Sequence, residues 1–92
     1  MIKSFTELKV WQKAHELALL VYKLTNKFPA EEKFGLTNQI RRATVSIASN
    51  LAEGFGRHSV THRASVNFYN IANGSLEEVK YQLLLSKDLK YK

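Results

Sequence analysis

The sequence predicts an all-α protein, a small helical bundle made of a few long amphipathic helices. Three observations carry this. Breaking residues are sparse: the only proline is Pro29, and the glycines are Gly35, Gly54, Gly56 and Gly74. Apolar residues recur at alternating spacings of three and four, and no segment shows the period of two expected of a half-buried strand. The chain has 92 residues, 45% of them hydrophobic, which predicts one domain over 1–92 and is too apolar for disorder.

The first helix is expected over about 4–27. Ser4, followed three residues later by Glu7, reads as a capping box in which each side chain meets a free backbone N–H. Val10, Ala14, Leu17, Val21, Leu24 and Phe28 form one apolar stripe, and Trp11, Ala18 and Tyr22 form a second beside it. The combined sector is too wide for a single neighbouring helix. Pro29 pushes the residue before it out of α conformation and so ends the helix. The second helix is expected over about 36–54, with Leu36, Ile40, Ala43, Ile47, Leu51 and Gly54 on one line. Its opposite arc holds Asn38, Gln39, Arg42, Ser46, Ser49, Asn50, Glu53 and Arg57. That arc is polar but carries few charges, which suits close helix approach better than full solvation. Glu53 and Arg57 stand at i, i+4 in the favourable order for pairing. Gly54-Phe55-Gly56 reads as the interruption or end of this helix. The third helix is expected over about 60–88, with Phe68, Ala72, Ser75, Leu76, Val79 and Leu83 as its core stripe. Gly74 lies inside that stripe. A mid-helix glycine costs about 1 kcal/mol against alanine, so Gly74 is read as a place where two helices come close.

Several classes of function fall away. There is no cysteine, which removes disulfides, thiolate catalysis and cysteine-ligated zinc and fits a reducing cytoplasm. The opening residues have charges every few positions and no apolar core, so no signal peptide is expected. No apolar run approaches the roughly 20 residues that span a bilayer. An enzyme is not expected either, and neither is a small-molecule substrate or cofactor. The histidines are His15, His58 and His62, the one aspartate is Asp88, and no spacing suggests a catalytic triad. His58 and His62 stand at i, i+4, as two metal ligands on a helix would, but no Cys, Asp or Glu nearby completes a set. Gly54-Phe55-Gly56 is a lone Gly-x-Gly without the strand or the Lys-Ser/Thr that phosphate loops need.

Charge points toward a polyanion. The formal net charge is +6, and all four arginines lie between residues 41 and 63. Arg41, Arg42, Arg57 and Arg63 are therefore the candidate nucleic-acid contacts. A rival reading takes the run from Ser46 to Val66 as a helix-turn-helix, with a Ser/Thr/His/Arg-rich second helix for a DNA groove.

A family resemblance sharpens these expectations. Phe5, Leu8, Trp11-Gln12 and Ala14 resemble the opening of the bacterial 23S rRNA intervening-sequence proteins, often described simply as four-helix bundle proteins. Phe28-Pro29, Glu32, Leu36, Gln39-Ile40-Arg41-Arg42-Ala43, Ser46-Ile47, Asn50, Ala52-Glu53-Gly54 and Gly56-Arg57 resemble its central signature. Ile71-Ala72, Gly74-Ser75-Leu76, Glu78 and Gln82 resemble its third-helix motif. The resemblance implies a cytoplasmic, up-and-down antiparallel four-helix bundle that assembles as a homo-oligomeric ring, commonly a pentamer. A related branch, the accessory protein of diversity-generating retroelements, binds nucleic acid and a reverse transcriptase. The resemblance supplies no catalytic residues. In that family a fourth helix follows the segment matching Leu89-Lys90-Tyr91. The expectation here is three long helices with the fourth missing or truncated and its place open to another chain.

Two functional readings follow. In one, the chain is an RNA-associated oligomeric scaffold that uses the four arginines. In the other, it is a purely structural interaction module. Trp11, Arg42, Ser46, Asn50, Glu53, Gly54, Arg57 and Gly74 are then its candidate helix or oligomer interface.

Overall fold

A computed structural model describes residues 2–58 and 61–91. Three helices account for most of them: α1 over Lys9–Thr25, α2 over Leu36–Arg57 and α3 over His62–Asp88. Among the described residues there is no strand and no fourth helix. At 1.5 Å per residue the 27 residues of α3 span about 40 Å, which sets the long dimension of the molecule at 44 Å.

The chain begins differently from the capping-box expectation. Ser4 Oγ accepts the Thr6 N–H at 3.2 Å and caps a 3-10 turn over Phe5–Glu7. The Glu7 carboxylate accepts from Lys3 N at 3.5 Å instead of reaching back to Ser4. Leu8 is extended, and α1 starts after it with no side-chain cap. The Phe5 ring meets the Trp11 ring edge to face at 4.9 Å, and Gln12 Nε2 donates to Thr6 O at 2.9 Å. These two contacts fold the N-terminal turn back onto α1. At the other end Thr25 is buried, with its hydroxyl donating to Val21 O at 2.7 Å.

The connection to α2 is organised by Glu32. Its Oε1 accepts the Leu36 N–H at 2.9 Å and satisfies one of the free donors at the start of α2. A Cβ on Gly35 would lie 2.7 Å from that oxygen, so glycine leaves room for the carboxylate. Along α2 the buried residues are Leu36, Ile40, Ala43, Thr44, Ile47, Leu51 and Gly54, the predicted line with Thr44 added. Thr44 is fully buried because its hydroxyl donates to Ile40 O at 2.7 Å, leaving no unmet polar group.

The helix does not stop at Gly54-Phe55-Gly56. It runs on to Arg57, because Gly54 serves packing and not a turn. An added Cβ there would stand 2.7 Å from Tyr69 Cδ1 on α3. Thr61 then caps α3, its Oγ1 accepting the Ala64 N–H at 3.0 Å. At the far end Lys90 takes a left-handed φ of 66°. Lys90 N donates to Lys87 O and Tyr91 N to Ser86 O, both at 2.9 Å, the paired bonds of a Schellman stop. This turn swings Tyr91 back onto the Phe28 ring at 5.4 Å and onto Glu32 Oε2, which accepts the Tyr91 hydroxyl at 2.8 Å.

α2 is the hub. α1 and α3 both pack on it in antiparallel order, and no Cα of α1 comes within 8 Å of a Cα of α3. The core gathers Ala14 and Val21 of α1, Ile40, Ala43, Ile47 and Leu51 of α2, and Ala72 and Val79 of α3. Between α1 and α3 an open hollow is lined by Leu17, Leu20, Val21, Leu24 and Leu83, on the side where the remaining helix of a four-helix bundle lies. The α3 seam is more polar than its predicted stripe. Ser65, Gln82 and Ser86 are buried, whereas Phe68, Leu76 and Leu83 are half-buried. Ser86 donates to Leu83 O at 2.8 Å, while Gln82 Oε1 has no partner among the described residues.

Candidate functional site

The four arginines divide into different kinds. Arg41 is one residue past Ile40, at the edge of the buried arc facing α1. Its Nε donates to Thr25 Oγ1 at 2.7 Å, and its Nη2 donates to Asn26 Oδ1 at 3.0 Å and to Tyr22 O at 3.3 Å. The guanidinium also lies 4.6 Å from the Tyr22 ring centroid. Arg41 is therefore a clamp holding the end of α1 to the start of α2, with Nε and Nη2 taken up by protein acceptors. Of the four candidate nucleic-acid contacts, Arg41 is the one tied down by bonds within the chain. The signal was present in the sequence, since Arg41 borders the apolar line while Arg42 falls on the polar arc.

Arg42, Arg57 and Arg63 are exposed. Arg42 borders a polar hollow between α2 and α3, lined also by Asn38, Gln39, Ser46, Ser75 and Glu78. Within it Ser75 Oγ and Ser46 Oγ are hydrogen-bonded at 2.9 Å, and Asn50 Nδ2 donates to Ser46 O at 2.8 Å and to Ser46 Oγ at 3.0 Å. Ser46, expected at a helix or oligomer interface, joins α2 to α3, and Asn50 supports it from its own helix. Arg57 Nη2 stands 3.6 Å from Glu53 Oε2, and more than half of each side chain is open to solvent, at 52% and 55%. An exposed i, i+4 pair contributes about 0.3–0.5 kcal/mol. Within this chain the pair is not buried; the Arg57 guanidinium leans toward the Phe68 ring, 5.7 Å away. Arg63 lies in the first turn of α3.

The remaining candidates sort by packing. Trp11 is half-buried between Phe5 and His15, stacked on the imidazole at 5.1 Å with the rings within 8° of parallel. Gly54 is the close approach between helices. Gly74, expected to be one, faces open space with nothing within 4 Å of an added Cβ. His58 and His62 are exposed, and Ser59 and Val60 between them lie outside the described residues. Among the described residues no group of three His, Asp or Glu side chains is placed to hold a metal ion.

The helix-turn-helix geometry does not form. Ser46 meets Ser75 and Gly54 meets Tyr69, so α2 and α3 run antiparallel along a shared seam. A helix-turn-helix instead crosses its helices at roughly 90–120°. No helix is long and apolar enough to cross a membrane among the described residues.

Most cations of this surface stand free of acids. Every described lysine is exposed, and the ion pairs within 4 Å among the described residues are Arg57–Glu53 and Lys80–Glu77. A comparison with protein families places this basic helical chain. The model of the 23S rRNA-intervening sequence protein matches residues 6–92. The chain belongs to that family. The matched span takes in all three helices, so the family is shown by the bundle as a whole and not by one motif. No curated protein is matched.

Proposed function

We propose that this chain is a non-enzymatic, oligomeric helical scaffold of the cytoplasm that associates with RNA through its exposed cations. The observation that carries the reading is the excess of unneutralised charge: among the described residues Arg42, Arg63 and every lysine except Lys80 have no acidic partner within 4 Å. Free surface cations displace condensed counterions from a phosphate backbone, which gives affinity without sequence preference. Membership of the 23S rRNA-intervening sequence family agrees with RNA as the polyanion. A ring of copies, commonly five, is what the resemblance implies for its assembly.

Arg63 sits in the first turn of α3, where the helix dipole disfavours a positive charge by about 0.3–1 kcal/mol.

The test is a titration of labelled RNA at roughly 50, 100 and 200 mM salt. Log affinity falls linearly with log salt, and Arg63→Ala lowers the slope by about one. Arg63→Glu weakens binding further while raising stability by a few tenths of a kcal/mol. Arg41→Ala behaves oppositely: it costs about 2 kcal/mol of stability as its charged hydrogen bonds are lost, and it leaves the slope unchanged. Negligible affinity at the lowest salt would sink the RNA reading and leave a purely structural module.

A further inference from the structure

A hollow of about 480 Å³ lies between α1 and α2. Ala18, Ala48 and Ala52 form its floor, Trp11 and Tyr22 wall it, and Leu19 stands at its edge, 60% exposed. No Lys, Arg, Asp or Glu lines it. The hollow between α1 and α3 is lined by aliphatic side chains alone, with no charge but also no aromatic ring, and the remaining hollows carry charge. Arg42 and Glu78 border the one between α2 and α3, Lys33 and Arg41 the one beside Pro29, and Lys23 and Lys27 the one around Leu20 and Leu24.

We propose that the α1–α2 hollow is the surface on which a second copy of this chain docks. The proposal rests on the reading that the chain assembles and names the face that does it. Two copies each carry a net charge of +6, so their approach is opposed wherever cations face cations. A hollow lined by no Lys, Arg, Asp or Glu is where like-charged copies meet at least cost, because no acid, lysine or arginine is desolvated there, and of the two such hollows only this one has aromatic walls. An acidic partner gains nothing from this face and gains more beside Lys23 and Lys27. The chemistry of the walls agrees. The centres of protein interfaces are depleted in charge and enriched in Trp and Tyr, and the residues that dominate binding are buried aromatics in preformed pockets. Trp11 is preformed in this sense, fixed on one side by Phe5 and stacked on the other with His15. The alanine floor lets a helix ridge of the second copy come close.

The experiment measures solution mass against concentration for the whole chain and for variants at exposed positions that leave the core intact. Leu19→Lys and Val45→Lys place a cation at the hollow, while Leu20→Lys, 63% exposed, places one where the α1–α3 hollow meets the groove flanked by Lys23 and Lys27. Circular dichroism confirms that each variant is helical. Expected is an assembling wild type whose association weakens at least tenfold in Leu19→Lys and Val45→Lys and holds in Leu20→Lys and Glu53→Ala. The association also holds or strengthens as salt rises from roughly 50 to roughly 500 mM, since added ions screen the repulsion between copies. An assembling wild type that ignores Leu19→Lys and Val45→Lys overturns the surface and leaves the assembly reading standing. Dissociation by Leu20→Lys alone moves the second copy to the α1–α3 side. A wild type that stays monomeric at every concentration overturns both readings.

Discussion

Of the two glycines read from the sequence as interface candidates, one stands at a helix contact and the other does not. Gly54 is buried where Tyr69 of α3 lies against α2, and Gly74 is exposed with open space above it. Alanine at Gly74 gains the helix propensity that glycine forfeits, so Gly74→Ala raises stability by about 1 kcal/mol. For a chain of this size the melting temperature rises by about 4–8 °C. Alanine at Gly54 makes the same propensity gain but drives a methyl into the Tyr69 ring, and overpacking costs about 1–3 kcal/mol. Gly54→Ala is therefore destabilising on balance, and Gly54→Ala with Tyr69→Ala recovers part of the loss. Thermal melts of the three variants check the sign at each position. A sequence gives the place of a glycine in a periodic pattern but not what stands opposite, and opposite neighbours decide both cases here. Arg41 and Arg42 teach the same lesson. They are adjacent and chemically identical, yet one is clamped by Thr25, Asn26 and Tyr22 and the other is exposed.

At the level of elements, apolar periodicity was a reliable guide where burial is made of aliphatic side chains. The predicted line of α2 is its buried line, because Leu36, Ile40, Ile47 and Leu51 have nothing to gain from water. It was a poor guide on α3, where Ser65, Ser75, Gln82 and Ser86 take much of the seam. Ser75 and Ser86 can be buried because their hydroxyls find partners on α2 or on their own helix. That compensation leaves no trace in hydropathy. The start of α1 lies later than the periodicity implies, since Ser4 caps a short turn and Leu8 breaks the run before the helix begins. The contact that ties α3 to the start of α2 has a pH signature. Accepting the Leu36 N–H, and then the Tyr91 hydroxyl, holds the Glu32 carboxyl below its ordinary value of 4.5. The bond to Glu32 holds the Tyr91 hydroxyl above its ordinary 10.0. The Glu32 contribution is therefore present above the unfolded carboxyl value and is lost as pH falls through the folded one. The Tyr91 contribution is present below the unfolded phenol value and is lost as pH rises through the folded one. Glu32→Gln flattens the acid limb of stability against pH, and Tyr91→Phe flattens the alkaline limb. Denaturant melts across the pH range read both, and unchanged limbs in both variants would remove the contact from any role in stability.

At the scale of the whole molecule, the arrangement around α2 makes the three helices unequal. α2 and α3 share a long seam pinned near its middle by Ser46 and Ser75, toward one end by Gly54 against Tyr69, and at the other by Glu32 with Tyr91. The backbone of α1 comes close to that of α2 and not to that of α3, and α1 is secured by the Arg41 clamp and the N-terminal turn. Local opening follows the weakest boundary of a structure, and here that boundary runs along α1. The α2–α3 hairpin is built from neighbours in sequence and closes early in folding, since short loops are cheap to close. The expected order is that α1 docks onto it afterwards and is the first to leave. Amide exchange monitored under native conditions reads this order, with α1 exchanging through a lower-energy opening than α2 or α3. Equal protection of all three helices would mean that the chain opens only as a unit. A bundle that frees one helix at a time keeps a folded hairpin in reserve, so a transient loss of α1 is an excursion the molecule can reverse without starting over.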